Sequence, residues 1–169
     1  MLSTDRVVHD LYDSPEVRDA VTARFGESVA PGGVVDRSAV ARRAFASGED
    51  RAWLERLLWP KVGERVTAWR GGLEEASPVP RAAVVEVPLL FEAGMEGIFD
   101  ATIAVTAEEE LRVRRAEARG HQALEERSAR QLSQEEKAQR ATYVVVNDGT
   151  VEQLEAKLSA VLEKLSVYT

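Results

Sequence analysis

Residues 82–94, AAVVEVPLLFEAG, decide how the chain folds. The short β-branched run 82–87, closed by Pro88, has the pattern of a buried parallel strand that leaves into a loop. Two more strands are predicted downstream, ATIAV at 101–105 and TYVVV at 142–146. Between them lie a helix over 107–118, a break at Gly120, and two short helices at about 122–131 and 133–140. The turn Asn147-Asp148-Gly149 then leads to an amphipathic helix from Val151. Strands alternating with helices specify an α/β protein with a parallel sheet flanked by helices.

Upstream of residue 82 the pattern is helical. Ser3 or Thr4 can cap a helix over 4–12, with Val7, Val8, Leu11 and Tyr12 at helical spacing. That helix leaves no room for a strand before Asp5, although a carboxylate at such a place usually follows one. Ser14-Pro15-Glu16 starts a second helix that should end near Gly26. Asp36 caps a third over about 37–46, and Gly48-Glu49-Asp50 opens a longer one to about Trp69. Leu54, Leu57, Leu58, Val62 and Val66 form the buried stripe of the longer helix, and Pro60 should kink or divide it. The segment GGLEEASPVPR is a turn-rich connector, and none of the first eighty residues reads as a strand.

The 169 residues suit one domain with a real core, and 44% hydrophobic with 30% charged residues is ordinary for a soluble protein. No stretch has the basic and then apolar order of a signal peptide or the length of a membrane helix, so the expected location is cytoplasmic. The absence of cysteine excludes disulfides and thiolate chemistry, and two histidines are too few for a histidine-based zinc site. A net charge of −7 argues against a general nucleic-acid binder. Residues 111–140 nevertheless hold eight Lys/Arg against five Glu. A locally basic segment on an acidic chain suits a small anionic ligand, or simply helix faces laced by Glu/Arg pairs.

Four places could carry chemistry. In a parallel sheet ligands lie beyond the carboxyl ends of the strands, so Pro88, Leu89, Leu90 and Phe91 could form an apolar wall there with Glu92 as its polar handle. The plainer alternative makes the apolar residues core and Glu92 the partner of an arginine. Arg112, Arg115 and Arg119 recur at helical spacing beside Gly120, as in a lid that closes over phosphates, or as in any solvated basic face. Asn147 at a strand end could hydrogen-bond a base or only make the turn. Asp5 could take a proton from a hydroxyl, or only complement the helix dipole. His9 reads as structural or surface.

Taken in order, STDRVVHDLY, VVDRSAVARRAF, LERLLWPKV, EVPLLFEAG, RRAEARG, RQLSQEEKAQRA and VVVNDGT resemble the dephospho-CoA kinase family from about Ser3 to Leu165. PLLFE and its spacing to the NDG turn are the specific part. The resemblance implies a P-loop kinase-like parallel sheet and transfer of a phosphoryl group from ATP, with Mg2+, to the ribose 3′-hydroxyl of dephospho-CoA. Asp5 then matches the base on that hydroxyl, and Pro88, Leu89, Leu90 and Glu92 match the acceptor loop. Arg115 and Arg119 match arginines near the ATP phosphates, Gln131 the glutamine of the next helix, and Asn147 with Gly149 the turn against the adenine. Residues 14–70 would be a helical acceptor-side subdomain and 112–140 the lid, within one domain over 1–169. Ser3 and Trp59 depart from the family's usual aspartate and histidine.

The sequence contains no GxxxxGK[ST] and no Gly-Lys pair. That loop cradles the phosphates and supplies the lysine of the reaction. In the family it precedes the aspartate, on a strand that lies between those matching 82–87 and 101–105. The expectation is therefore that the missing strand and loop belong before residue 1, and that these 169 residues alone turn over poorly. The alternatives are another small-molecule or nucleotide kinase of the same fold, against which PLLFE and NDG count, and a non-catalytic module that binds the coenzyme A precursor.

Overall fold

The computed structural model describes residues 1–118 and 131–166. These form two compact units, Met1–Pro88 and Leu89–Thr169.

The first unit is a helical cluster with a short strand pair. Strand β1 (Leu2–Ser3) leads directly into α1 (Thr4–Tyr12), followed by α2 (Pro15–Phe25), 3-10 turns at Glu27–Val29 and Pro31–Gly33, α3 (Arg37–Ala46), α4 (Gly48–Glu74) and β2 (Val85–Glu86). Local chemistry sets the starts of the helices. Ser14 Oγ accepts from Val17 N, Asp36 Oδ1 from Ser38 N and Ala39 N, and Ser47 Oγ from Asp50 N. Ser3 stands at the start of α1 but makes no side-chain cap, because the neighbouring Thr4 hydroxyl donates instead to the Glu86 carbonyl, 3.0 Å away. Val7, Leu11 and Tyr12 of α1, Val17 and Val21 of α2, Val29, Val40 of α3, and Leu58 and Val62 of α4 bury one another as a single core. Phe25 meets Trp53 edge to face at 5.5 Å on its flank.

Pro60 does not divide α4, which runs unbroken through it. The buried side chains on either side, Leu58 and Val62, hold both flanks to the same core, and that anchoring outweighs the one backbone hydrogen bond a proline forfeits.

Two sequence expectations need correction here. A strand does precede Asp5: Leu2 and Ser3 pair in parallel with Val85 and Glu86, and Leu2 N donates to Val84 O at 2.9 Å. The run 82–87, expected to be a buried strand, is strand only over Val85–Glu86, with Ala82, Ala83 and Val84 exposed. A ladder is as long as its partner, and β1 offers two residues.

The second unit carries a 3-10 turn at Glu96–Ile98, β3 (Ile103–Thr106), α5 (Glu109–Glu117), α6 (Gln134–Arg140), β4 (Tyr143–Val146) and α7 (Val151–Ser166). Strands β3 and β4 are parallel, Ile103 opposite Tyr143 through Thr106 opposite Val146. Thr102 and Thr142 lock the start of the pair by reciprocal bonds from each backbone amide to the other hydroxyl, both 3.0 Å. Phe91, Ala104, Ala116, Val145 and Val161 are buried in this unit. Among the described residues the four strands make two two-stranded parallel sheets, and no helix is long and apolar enough to cross a membrane. The expected helix at 122–131 falls almost wholly outside the described residues.

Candidate functional site

In the first unit the site is built by the β1–β2 register. Ser3 lies opposite Glu86, so Asp5 and Pro88 each follow two residues beyond the carboxyl ends of a parallel pair, where α/β folds present ligand groups. Asp5 sits exposed in the first turn of α1. The Thr4 hydroxyl pins that turn to the strand end, which limits the freedom of the residue beside it. His9, on the next turn of α1, contacts Arg37 at the start of α3 through Nδ1.

In the second unit the segment after Pro88 is a compact turn. Ala93 N donates to Leu89 O, Gly94 N to Phe91 O, and Met95 N to Leu90 O. Gly94 takes φ +65°, the left-handed conformation that lets the chain reverse there. Leu89 is half-exposed, whereas Phe91 is buried with the Arg140 guanidinium 5.3 Å from its ring centre. Glu92 turns inward: its Oε1 accepts from Leu132 N at 3.0 Å and from Lys137 Nζ at 2.9 Å, and its Oε2 is buried without a partner among the described residues. Burial is the largest influence on this carboxyl and raises its pKa. Lys137 and the amides of Glu92 and Leu132 together outweigh burial and hold the pKa below the ordinary glutamate value. Glu96 pairs with Arg140 in the same way, giving the loop two ties to α6. Gln131, next to Leu132, is exposed.

The remaining residues converge on the turn after β4. Arg115, on α5, donates from Nη1 to Asn147 O at 2.8 Å and from Nη2 to Gly149 O at 3.2 Å. Asn147 N continues the β3–β4 ladder by donating to Thr106 O at 2.7 Å. Gly149 lets the Gln153 side chain close in: a Cβ there would lie 1.8 Å from Gln153 Oε1, and the Gln153 amide would have to move. That amide oxygen accepts from Thr150 N, while Thr150 Oγ1 accepts from Gln153 N, a reciprocal cap that starts α7.

The expected residues thus fall into three groups. Asp5 and Pro88 share the first strand pair. Leu89, Leu90 and Glu92 share a turn tied to the residue after Gln131. Arg115, Asn147 and Gly149 share a hydrogen-bonded turn, and Arg119 lies outside the described residues. Three residues escaped the sequence reading. Lys137 holds Glu92, Lys157 reaches Val146 O and Asp148, and Gln134 makes two amide bonds with Ala107 at the end of β3. Their only signal was a polar side chain in an amphipathic helix, which does not distinguish them from solvated neighbours. Among the described residues no group of three or more His, Asp or Glu could hold a metal ion.

Parallel strands with a carboxylate beyond the ends of one pair, and an arginine-braced strand-turn-helix beyond the other, define an α/β enzyme of the ligand-at-the-strand-ends type. Relatives make the class specific. The family model CoaE, dephospho-CoA kinase, matches residues 3–153. The dephospho-CoA kinase of Deinococcus radiodurans is 38% identical over 99% of this chain and 81% of its own length. That of Thermus thermophilus is 42% identical over 84% of this chain and 68% of its own. Among solved structures, TT1252 from Thermus thermophilus superposes with a TM-score of 0.74 at 34% identity, covering 97% of this chain and 83% of that one. A dephospho-CoA kinase from Campylobacter jejuni shares the fold, with a TM-score of 0.65 at 23% identity, covering 98% and 84%. The chain belongs to the dephospho-CoA kinase family, whose members are ATP-dependent transferases of coenzyme A biosynthesis.

Proposed function

We propose that the protein phosphorylates the ribose 3′-hydroxyl of dephospho-CoA, with ATP as donor, in the cytoplasm. The Asp5 carboxylate accepts the hydroxyl proton as the oxygen attacks the γ-phosphorus, and the bond from that phosphorus to the bridging oxygen breaks to release ADP. Pro88, Leu89 and Leu90 line the acceptor side, and Glu92 supports them from within. Arg115 and Arg119 serve the ATP phosphates, Gln131 contributes to binding of the same nucleotide, and Asn147 and Gly149 bear on the adenine. Mg2+ would enter with ATP and offset the charge of its phosphates. Residues 14–70 form the acceptor-side helices and 112–140 the lid.

The observation that carries this reading is the pairing of Leu2–Ser3 with Val85–Glu86, which sets Asp5 and Pro88 beyond the same two strand ends. The test is ADP release with dephospho-CoA by the protein, together with the mass of the product. Gain of one phosphoryl group on the ribose supports the reading, and transfer only to a nucleoside monophosphate overturns it.

A further inference from the structure

The carbonyl groups at the end of β4 are held by two cations from different helices. Arg115, on α5, takes Asn147 O and Gly149 O. Lys157, on the second turn of α7, donates from Nζ to Val146 O at 2.7 Å and to Asp148 Oδ1 at 3.0 Å. The four consecutive residues Val146, Asn147, Asp148 and Gly149 are therefore each tied to a side chain from a neighbouring helix. We propose that Lys157 is a positioning residue for the nucleotide: it fixes the 146–149 turn so that Asn147 and the backbone beside it meet the base in one geometry.

Three features support this. An ordinary surface lysine pairs with a carboxylate alone, and such pairs contribute little; this one also satisfies a main-chain carbonyl where the strand has run out of partners. The Asp148 carboxyl is held below its usual pKa, first by the hydrogen bond from Lys157, then by its own backbone amide, so the bridge is ionic at neutral pH. Gln153 also braces the turn, since its side chain lies beside Gly149 and accepts from Thr150 N at the start of α7. A site that discriminates by hydrogen bonds rejects the wrong base only if its donors and acceptors stay in place. Loosening the turn should therefore affect recognition of the base more than the chemical step.

The inference rests on the reading of Asn147 and Gly149 as the adenine-side turn, and the experiment separates the two. The wild-type protein is compared with Lys157→Met, Lys157→Arg and Asn147→Ala. Lys157→Met should raise the KM for ATP about three- to tenfold and lower the preference for ATP over GTP by a similar factor. Its kcat and its KM for dephospho-CoA should stay within about twofold. Lys157→Arg, which can reach both oxygens, should restore the wild-type values. Amide exchange at 147–150 should accelerate in Lys157→Met and return in Lys157→Arg. If Asn147→Ala weakens ATP and Lys157→Met does not, the positioning role is wrong and the adenine reading stands. If neither weakens ATP, the adenine reading itself is wrong and the positioning role goes with it. An equal loss in kcat and in both KM values would also overturn the positioning role, because it would mark general destabilisation.

Discussion

Replacing Glu92 by glutamine isolates the charge of the side chain that ties the PLLFE loop to α6. The glutamine oxygen can still accept from Leu132 N, but Lys137 loses its anionic partner, and the new NH2 must occupy the position of Oε2, which is buried with no partner among the described residues. A charge-assisted bond reduced to a neutral one costs about 1 kcal/mol, and a buried donor left unsatisfied costs about 1–3 kcal/mol. With Glu92 only 15% and Lys137 22% exposed, solvent relieves little of this, and the total at pH 7 should be about 2–4 kcal/mol. The sign of the pH dependence follows from the lowered pKa. A carboxyl whose folded pKa lies below its unfolded value contributes stability above the unfolded value, about pH 4.3, and loses it as pH falls through the folded value. The difference between wild type and Glu92→Gln should be full at pH 7 and shrink steadily below about pH 4.3. Urea denaturation across pH 3–7 and amide exchange at Leu132 measure both quantities. Equal stability at pH 7, or a difference that does not change with pH, would refute the tether.

Other changes test other parts of the account. Arg115→Lys keeps the charge but cannot fork to both Asn147 O and Gly149 O, so the dissociation constant for ATP should rise about five- to thirtyfold by calorimetry. An unchanged constant would mean that the turn does not depend on Arg115. Asp36→Ala removes the acceptor for two amides at the start of α3 and should cost about 1 kcal/mol in denaturant midpoint analysis, with Asp36→Ser largely restoring it. Val21→Ala, at a side chain with no exposed surface, should cost about 2–3 kcal/mol, and an effect under half of that would argue against the helical core as described.

The parts of the fold that the sequence made legible are those governed by near neighbours. Ser14 and Asp36 cap helices three residues or fewer away, and each helix begins where its cap predicts. Strand length was not legible in the same way. The apolar run 82–87 has the propensity for six residues of strand, but pairing is decided by a segment some eighty residues away that offers only Leu2 and Ser3. Asp5 was identified from its place at a helix start, whereas the strand that delivers it was too short to leave a pattern. Within the site, Arg115 and the NDG turn were each visible as motifs, but their hydrogen bonds to each other were not. Glu92 shows the same limit. Its type suggested a polar handle or an ion pair, and the structure supplies Lys137 and the Leu132 amide, partners set by how the chain returns through α6.

The central claim is that Asp5 activates the ribose hydroxyl of dephospho-CoA, and a comparison of wild type with Asp5→Asn tests it most directly. The kcat for 3′-phosphorylation should fall about 10²–10⁴-fold in Asp5→Asn while the KM for ATP changes little. Full kcat in Asp5→Asn would leave Asp5 as a helix-start carboxylate and contradict the account.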